Sequence, residues 1–390
     1  MVSSKLLFIH TSFQFSGKTS KFIEYFKQNK KEYDVSVLAL EPFLKEEKRI
    51  LNKMELDIGA YNIPVHNLAD LKTNSLSYFV KKLQPDIVIM YDDAFLMNAT
   101  ITAICRNLKI PTLYIQHGFY PNSPVKKNIK FISFVEKILK YKIFISFYLR
   151  NTKLNLSKFI SLSRKLIRMS FFNESVNPTI IIDDFHCDYA AVWDKSSLVT
   201  TIKSKGYNKN STFIVGNPDG INFFSSNFNY STNSKNILYV MQPLVELNII
   251  ERKFFIKWSQ TLINILPSNK SLMIRPHPKT DMELLRLCFP NAEIVYDENI
   301  DLSFVIGHYS TYNEKTQYMV PTILVTFPET ENYSTDIIFN NSKKVKANNN
   351  KTLLELLSQK NIDFNSELPQ RFLMDFYKET TSIISEIINN

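Results

Sequence analysis

The sequence predicts an α/β protein built on two parallel sheets, and three observations carry that expectation. Short runs rich in Ile, Val and Leu alternate with helical patterns along most of the chain, and strands this uniformly apolar belong to sheets covered on both faces. The alternation also stops and restarts, because the polar, weakly periodic "DGINFFSSNFNYSTNSKN" separates two such series. Finally, 390 residues with 44% apolar and 22% charged composition suffice for two cores.

The first series begins with the strand "KLLFIHTS", the helix "TSKFIEYFKQNKKEY" and the strand "DVSVLAL". It continues with the helix "LADLKTNSLSYFVKKLQ", the strand "PDIVIMYDD", the helix "LMNATITAICRNLK" and the strand "IPTLYIQHG". After a basic interruption, "PTIIIDD" and "YAAVWD" resume the pattern, followed by "SLVTTIKSKGY" and "STFIVGNPDG". The second series runs through the strand "KNILYVMQP", the helix "IIERKFFIKWSQTLINILP", the strand "KSLMIRPHP" and the helix "TDMELLRLCFP". The strand "NAEIVYD", the run "DLSFVIGHYS", the helix "TYNEKTQYM" and the strand "PTILVTF" complete it, and "QRFLMDFYKETTSIISEIINN" is helical by period. Both series are Rossmann-like. The expected organisation is a domain over 1–218, a linker over 219–235, a second domain over 236–370 and a terminal helix over 371–390.

The net charge of +10 is concentrated in one place. Between 126 and 171, twelve Lys or Arg residues face the single Glu136, threaded among Phe, Ile, Leu and Tyr at roughly helical spacing. No charge-free stretch long enough to span a bilayer occurs there, so the segment predicts basic helices lying on an anionic membrane surface. No nucleic-acid-binding motif accompanies the charge, and no nucleic-acid partner is expected. The start, "MVSSKLLFIHTSFQF", lacks the pattern of a signal peptide, which predicts a cytoplasmic protein, peripheral at the inner face of the membrane.

Other classes are set aside by spacing. Cys105, Cys187 and Cys288 are far apart and show no ligand spacing, so they read as buried thiols rather than as disulfides or a zinc site. The tripeptide Ser16-Gly17-Lys18 lacks the earlier glycine with which a P-loop wraps a phosphate. No metal and no cofactor is expected.

The unusual polar residues fall at strand ends. Asp92 and Asp93 end one strand, His117 another, Gln242 a third and His277 a fourth, while Ser310 and Thr311 follow a fifth. Ligands of open α/β sheets bind at the carboxyl ends of the strands, and two such edges facing each other would make a cleft. In "RPHP" each proline holds the residue before it extended, so Arg275 and His277 project from a rigid strand end. An arginine fork and an imidazole donor both suit a phosphate. Ser310 and Thr311 start a helix with Glu314 in its first turn, a pattern that serves either to cap the helix or to bind phosphate. The paired Asp92 and Asp93 can act as a general base, or one of them can cap the next helix. His117, followed by Gly118 that permits close approach, is the rival base. His10, at the end of the first strand, is a candidate contact for an acceptor.

At this point the residues become recognisable. "PDIVIMYDDAFLMNATITAICRNLKIPTLYIQHG", "VGNPDG", "RPHPK" and "HYSTYNEKTQYMVPTIL", in that order, resemble the GT-B superfamily of glycosyltransferases. The HP motif and the Ser-Thr pair are similar to those of bacterial sialyltransferases, polysialyltransferases and β-Kdo transferases, which use CMP-activated sugars to build capsule and lipopolysaccharide. The resemblance implies a base at Asp92–Asp93 and phosphate contacts from His277 and Ser310–Thr311. Arg275 and Pro278 belong with the HP motif, Glu314 would meet the ribose, and Gln242 and Pro243 would shape the donor pocket. The partners implied are a nucleotide-sugar donor and a glycan or lipid-linked glycan acceptor. Ala94 departs from the family's acidic-acidic-Gly pattern. "QHG" is instead similar to the histidine loop of CDP-glycerol glycerophosphotransferases of teichoic acid synthesis, which keeps CDP-glycerol as an alternative donor. The layout also resembles the UDP-N-acetylglucosamine 2-epimerases, although "QHG" stands where those carry "EAG". A non-catalytic assembly subunit is the alternative from outside enzymology.

Overall fold

The computed structural model describes residues 3–10, 16–39, 58, 61–67, 76–91, 96–118, 160, 186–219, 228–296, 300–333, 339–359 and 362–389. Asp92, Asp93, the strand expected at "PTIIIDD" and all of the basic segment 126–171 except Ile160 lie outside the described residues. Among the described residues, no helix is long and apolar enough to cross a membrane. The described residues divide into two compact units, the first holding those up to Gly118, those from His186 to Pro218 and those from Met374 onward. The second is formed by Asp219–Leu373.

The first unit is a seven-stranded sheet in the order β3-β2-β1-β4-β5-β6-β7. Its strands are β1 (Ser4–His10), β2 (Tyr33–Ala39), β3 (Val65–Asn67), β4 (Ile87–Met90), β5 (Thr112–Ile115), β6 (Tyr189–Val192) and β7 (Thr212–Ile214). Every neighbouring pair is parallel. Among the described residues four helices stand between them: α1 (Ser16–Gln28), α2 (Leu76–Leu83), α3 (Leu96–Leu108) and α4 (Lys195–Lys205). β4 and β5 are buried at every position, as their unbroken apolar runs require. The strand order reverses between β1 and β4, which makes the carboxyl ends of β1, β4 and β5 the place where such a sheet opens to a ligand.

The helix expected over 19–33 stops at Gln28, and Tyr33 already belongs to β2. Lys30 takes a left-handed φ of 51°, and Lys31 N–H reaches back to the Phe26 carbonyl at 2.8 Å, so the turn closes before the charged run ends. Lys109 does the same after α3 with φ 57°. Gln84 takes φ 47° after α2, and Gly206 with φ 76° closes α4, so in a chain with only seven glycines long polar side chains share the terminating role.

The second unit is a six-stranded parallel sheet in the order β11-β10-β9-β13-β14-β15. It contains β9 (Asn236–Val240), β10 (Ser271–Arg275), β11 (Glu293–Ile294), β13 (Phe304–Gly307), β14 (Thr322–Thr326) and β15 (Lys343–Lys346). Its helices are α5 (Arg252–Ile265), α6 (Met282–Cys288), α7 (Thr311–Thr316), α8 (Asn350–Ser358) and α9 (Gln370–Leu373). Tyr239, Phe255, Trp258, Phe289 and Phe327 fill its core.

Three features differ from the sequence reading. The stretch read as a linker contains β8 (Phe228–Tyr230), which pairs with β12 (Ile300–Leu302) as a separate two-stranded sheet. The run "DLSFVIGHYS" therefore divides into β12 and β13 at Ser303, whose N–H and hydroxyl both donate to the Asn236 carbonyl, at 2.9 and 3.0 Å. β15 has only Val345 buried among Lys343, Lys344 and Lys346, so this edge strand shows no apolar run to read. The terminal helix α10 (Phe376–Asn389) packs Phe376, Ile383, Ile384 and Ile387 into the core of the first unit beside Leu6, Phe8 and Phe22. The three cysteines are free and buried, as their spacing suggested.

Gly307 is required by packing. A Cβ there would lie 2.1 Å from Asn313 Nδ2, which donates to the His308 carbonyl at 2.6 Å. Gly307→Ala is expected to cost about 1–3 kcal/mol by overpacking, read as a lower urea midpoint at unchanged slope.

Candidate functional site

In the first unit the carboxyl ends of β1, β4 and β5 carry a continuous polar arrangement. Gln116, 1% exposed, is a clamp rather than a reactive group. Its Oε1 accepts from Trp193 N–H at 2.8 Å and its Nε2 donates to the Gly118 carbonyl at 2.9 Å and to Ser197 Oγ at 3.1 Å. Trp193 Nε1 donates to the Gln116 carbonyl at 3.0 Å. Both flanks of His117 are thereby held. The His117 ring meets the Tyr91 carbonyl through Nδ1, and a carbonyl only accepts, so Nδ1 carries the proton and Nε2 is the ring's acceptor nitrogen. This is the tautomer a general base needs. A Cβ on Gly118 would meet nothing within 4 Å, so packing does not demand a glycine there.

Lys18 donates to the His117 carbonyl at 2.9 Å. The tripeptide set aside as a defective P-loop therefore supplies a cation to this edge. Its position just after the first strand, where a helix begins on the ligand side of the sheet, is the signal that could have found it. Its neighbour Thr19 lies 3.0 Å from the Tyr91 hydroxyl and 2.8 Å from His10 Nε2. Tyr91 immediately precedes Asp92 and Asp93, which are outside the described residues. His10, the candidate acceptor contact, is fully buried in this network and braces the edge from inside.

In the second unit the order β10-β9-β13 places the ends of three adjacent strands at the corresponding reversal, with Gln242, His277 and Ser310 following them. Gln242 is half-buried and Pro243 buried, and the Gln242 carbonyl accepts from Leu244 N–H at 2.8 Å in a tight turn. His277 is fixed on both sides of its backbone: its N–H donates to Thr280 Oγ1 at 3.0 Å, and its carbonyl accepts from Thr280 N–H at 2.8 Å. Lys279 N–H donates to His277 Nδ1 at 3.1 Å, so Nδ1 is the acceptor and Nε2 carries the proton. Burial, and then the Lys279 charge, push the imidazole below its usual pKa and keep it neutral near pH 7. The two histidines thus hold opposite tautomers: His117 has its acceptor nitrogen at Nε2, His277 its donor. Pro278 is exposed beside it.

Arg275 donates to the Tyr296 carbonyl at 2.6 Å and stacks 4.5 Å above the Tyr312 ring, tying the end of β10 to α7. Ser310 caps α7, its hydroxyl accepting from Asn313 N–H at 3.1 Å, so the capping role is filled. Thr311 is the first residue of that helix. Glu314, expected at a ribose, is instead fully buried, where Oε1 accepts from Arg371 Nε at 2.7 Å. A buried carboxylate needs a cation, and a pairing 57 residues away is invisible to local pattern.

The remaining histidine of this region, His308, is structural. Its Nδ1 donates to the Val325 carbonyl at 2.9 Å and its Nε2 accepts from the Tyr239 hydroxyl at 2.9 Å. Burial pushes His308 down to about 4 and His10 down to about 3. Unfolded, both bind a proton near the ordinary 6.5, so stability is fully present above that pH and is lost as pH falls toward the folded values. At pH 5 the loss should be about 2 kcal/mol for each histidine, measurable as a lower urea midpoint than at pH 7.5.

No protein-family model matches this sequence, and no curated protein matches it. Its fold, by contrast, is shared with solved structures. The UDP-GlcNAc 2-epimerase of Methanocaldococcus jannaschii, in complex with UDP-GlcNAc and UDP, is 13% identical with a TM-score of 0.51 over 98% of this chain and 99% of that one. A further UDP-N-acetylglucosamine 2-epimerase is 12% identical, with a TM-score of 0.51 over 100% of this chain and 96% of its own. CalG4, the calicheamicin glycosyltransferase, is 10% identical with a TM-score of 0.53 over 100% of this chain and 99% of its own. At such identities the likeness establishes architecture: the chain has the GT-B fold of two Rossmann-like units. The proteins that share it here are glycosyltransferase and epimerase enzymes.

Proposed function

We propose that this protein is a GT-B glycosyltransferase that moves a sugar from a nucleotide-activated donor to a bacterial surface glycan. The observation that carries the reading is the His277 ring, locked by Lys279 N–H as an Nε2–H donor where the second sheet reverses. Neutral and fixed, it is suited to a phosphate oxygen on which charge accumulates as the sugar departs. The acceptor hydroxyl would lose its proton to His117 Nε2 as the oxygen bonds to the anomeric carbon, while the bond from that carbon to the phosphate oxygen breaks and its electron pair stays with the nucleotide. Asp93 or Asp92 is the alternative base. Arg275, Ser310 and Thr311 would assist His277 in place of a metal, with Pro278, Gln242 and Pro243 shaping the pocket and Gly118 on the acceptor side, where buried His10 braces Thr19 from inside.

The HP motif favours a CMP donor carrying sialic acid, Kdo or a related nonulosonic acid, for capsule or lipopolysaccharide. CDP-glycerol is the alternative suggested by "QHG". Basic residues of 126–171 would hold the enzyme at the inner membrane face against lipid-linked acceptor. Calorimetry with CMP, CDP and UDP tests the core of the proposal. One nucleotide should bind clearly tighter than the others, and no heat from any of them rules out the transferase reading. A second reading, UDP-sugar 2-epimerase, follows from the epimerases that share the fold. It requires that UDP-GlcNAc alone be inverted at C2 in a proton NMR assay, and an unchanged spectrum dismisses it.

A further inference from the structure

Two consecutive residues of α7 form ion pairs with residues at or near the two ends of the Asp219–Leu373 segment of the second unit. Lys315 Nζ lies 3.2 Å from Asp219 Oδ2, with the lysine side chain 7% exposed and the aspartate 43%, so the buried charge of this pair is the lysine's. Glu314 pairs with Arg371 at 2.7 Å, with side-chain exposures of 0% and 8%. Asp219 is the residue at which the chain enters this unit from Pro218, and Arg371 stands just before Leu373, where it leaves for Met374. Sequence separations of 96 and 57 residues are thus closed on one short helix.

The arrangement is selective for geometry. An apolar contact tolerates sliding, whereas a largely buried charge is tolerable only while its partner stays within bonding distance. α7 has six residues and connects β13 to β14, so it gains little stability from its own length. Its position is set by what grips it: the Arg275–Tyr312 stack at one end and these two pairs further along.

We propose that Lys315 and Arg371 are positioning residues that couple nucleotide binding at this sheet edge to the two chain crossings at Pro218–Asp219 and Leu373–Met374. The inference rests on the nucleotide site proposed above and adds to it a linkage. Coupling is reciprocal, so a ligand that draws on α7 steadies these two crossings, and loosening either of them weakens the ligand.

The test uses the full chain with CMP, CDP and UDP, comparing wild type, Lys315→Glu, Asp219→Lys, the double exchange, and Lys315→Met, which removes the charge while keeping the bulk. Each single variant should weaken the tightest nucleotide about tenfold, and the double exchange should bind within about threefold of wild type. Amide exchange at Asn217, at residue 219 and at 371–375 should slow with nucleotide in wild type and in the double exchange, but not in Lys315→Met. Rescue by charge exchange separates pairing from a generic loss of packing. Wild-type affinity in Lys315→Met, or crossing amides indifferent to nucleotide in wild type, overturns the coupling while leaving the nucleotide site standing. Absence of binding by wild type to all three nucleotides overturns both.

Discussion

Replacing His277 by alanine is expected to lower kcat for sugar transfer about 10²–10³-fold, the range seen when one preorganised donor to a developing oxyanion is removed. Nucleotide affinity should change far less, because the Nε2–H bond strengthens only as the phosphate takes up negative charge. The tautomer sharpens the expectation. Lys279 N–H occupies Nδ1, so the useful proton sits on Nε2, and His277→Gln, whose amide also donates, should recover part of the loss. Burial lowers the imidazole pKa, so the ring is already neutral near pH 7 and raising the pH further removes no charge from it. The His277-dependent part of the rate should therefore stay level between pH 7 and 8, where an imidazolium contact would decline. Single-turnover kinetics over that range provide the measurement, and wild-type turnover in His277→Ala would remove the residue from the mechanism.

Arg371→Ala is expected to destabilise the protein by about 3–5 kcal/mol, since it leaves the Glu314 carboxylate buried without its cation. Arg371→Met combined with Glu314→Gln should recover much of that, because the cost lies in the stranded charge and not in the missing attraction. Urea denaturation at pH 7.5 checks both variants. A loss under about 0.5 kcal/mol in Arg371→Ala, the range of ordinary surface substitutions, would mean that the pair holds nothing.

The helices and strands on which these predictions depend were largely legible. β1, β2, β4, β5, β9, β10 and β14 all overlap the apolar runs, since the central positions of parallel strands covered on both faces must be apolar. β15 was not legible, because an edge strand needs only one inward side chain and Val345 supplies it. β8 and β12 were missed for a related reason: three residues are too few to show a period. The site was half legible. That polar residues end five strands follows from local sequence, and His117 and His277 stand out there. Lys18 was set aside on the rule for phosphate loops, which asks what a glycine pattern can wrap and not which carbonyl a lysine will meet across the sheet.

What the sequence by itself determined was the periodicity: which stretches become strands or helices, that there are two α/β series, and which polar groups emerge at strand ends. Those properties depend on neighbours a few residues apart, where alternation and turn chemistry act. Only the tertiary structure decided that α10 returns to the first unit, that Glu314 serves Arg371 instead of a surface, and that His117 and His277 hold opposite tautomers. An amphipathic face states that it must be covered, and a buried charge that it must be matched, but neither names its partner. A tautomer is set by whichever backbone group stands opposite the ring nitrogen: for His117 a carbonyl 26 residues away, for His277 an amide two residues on.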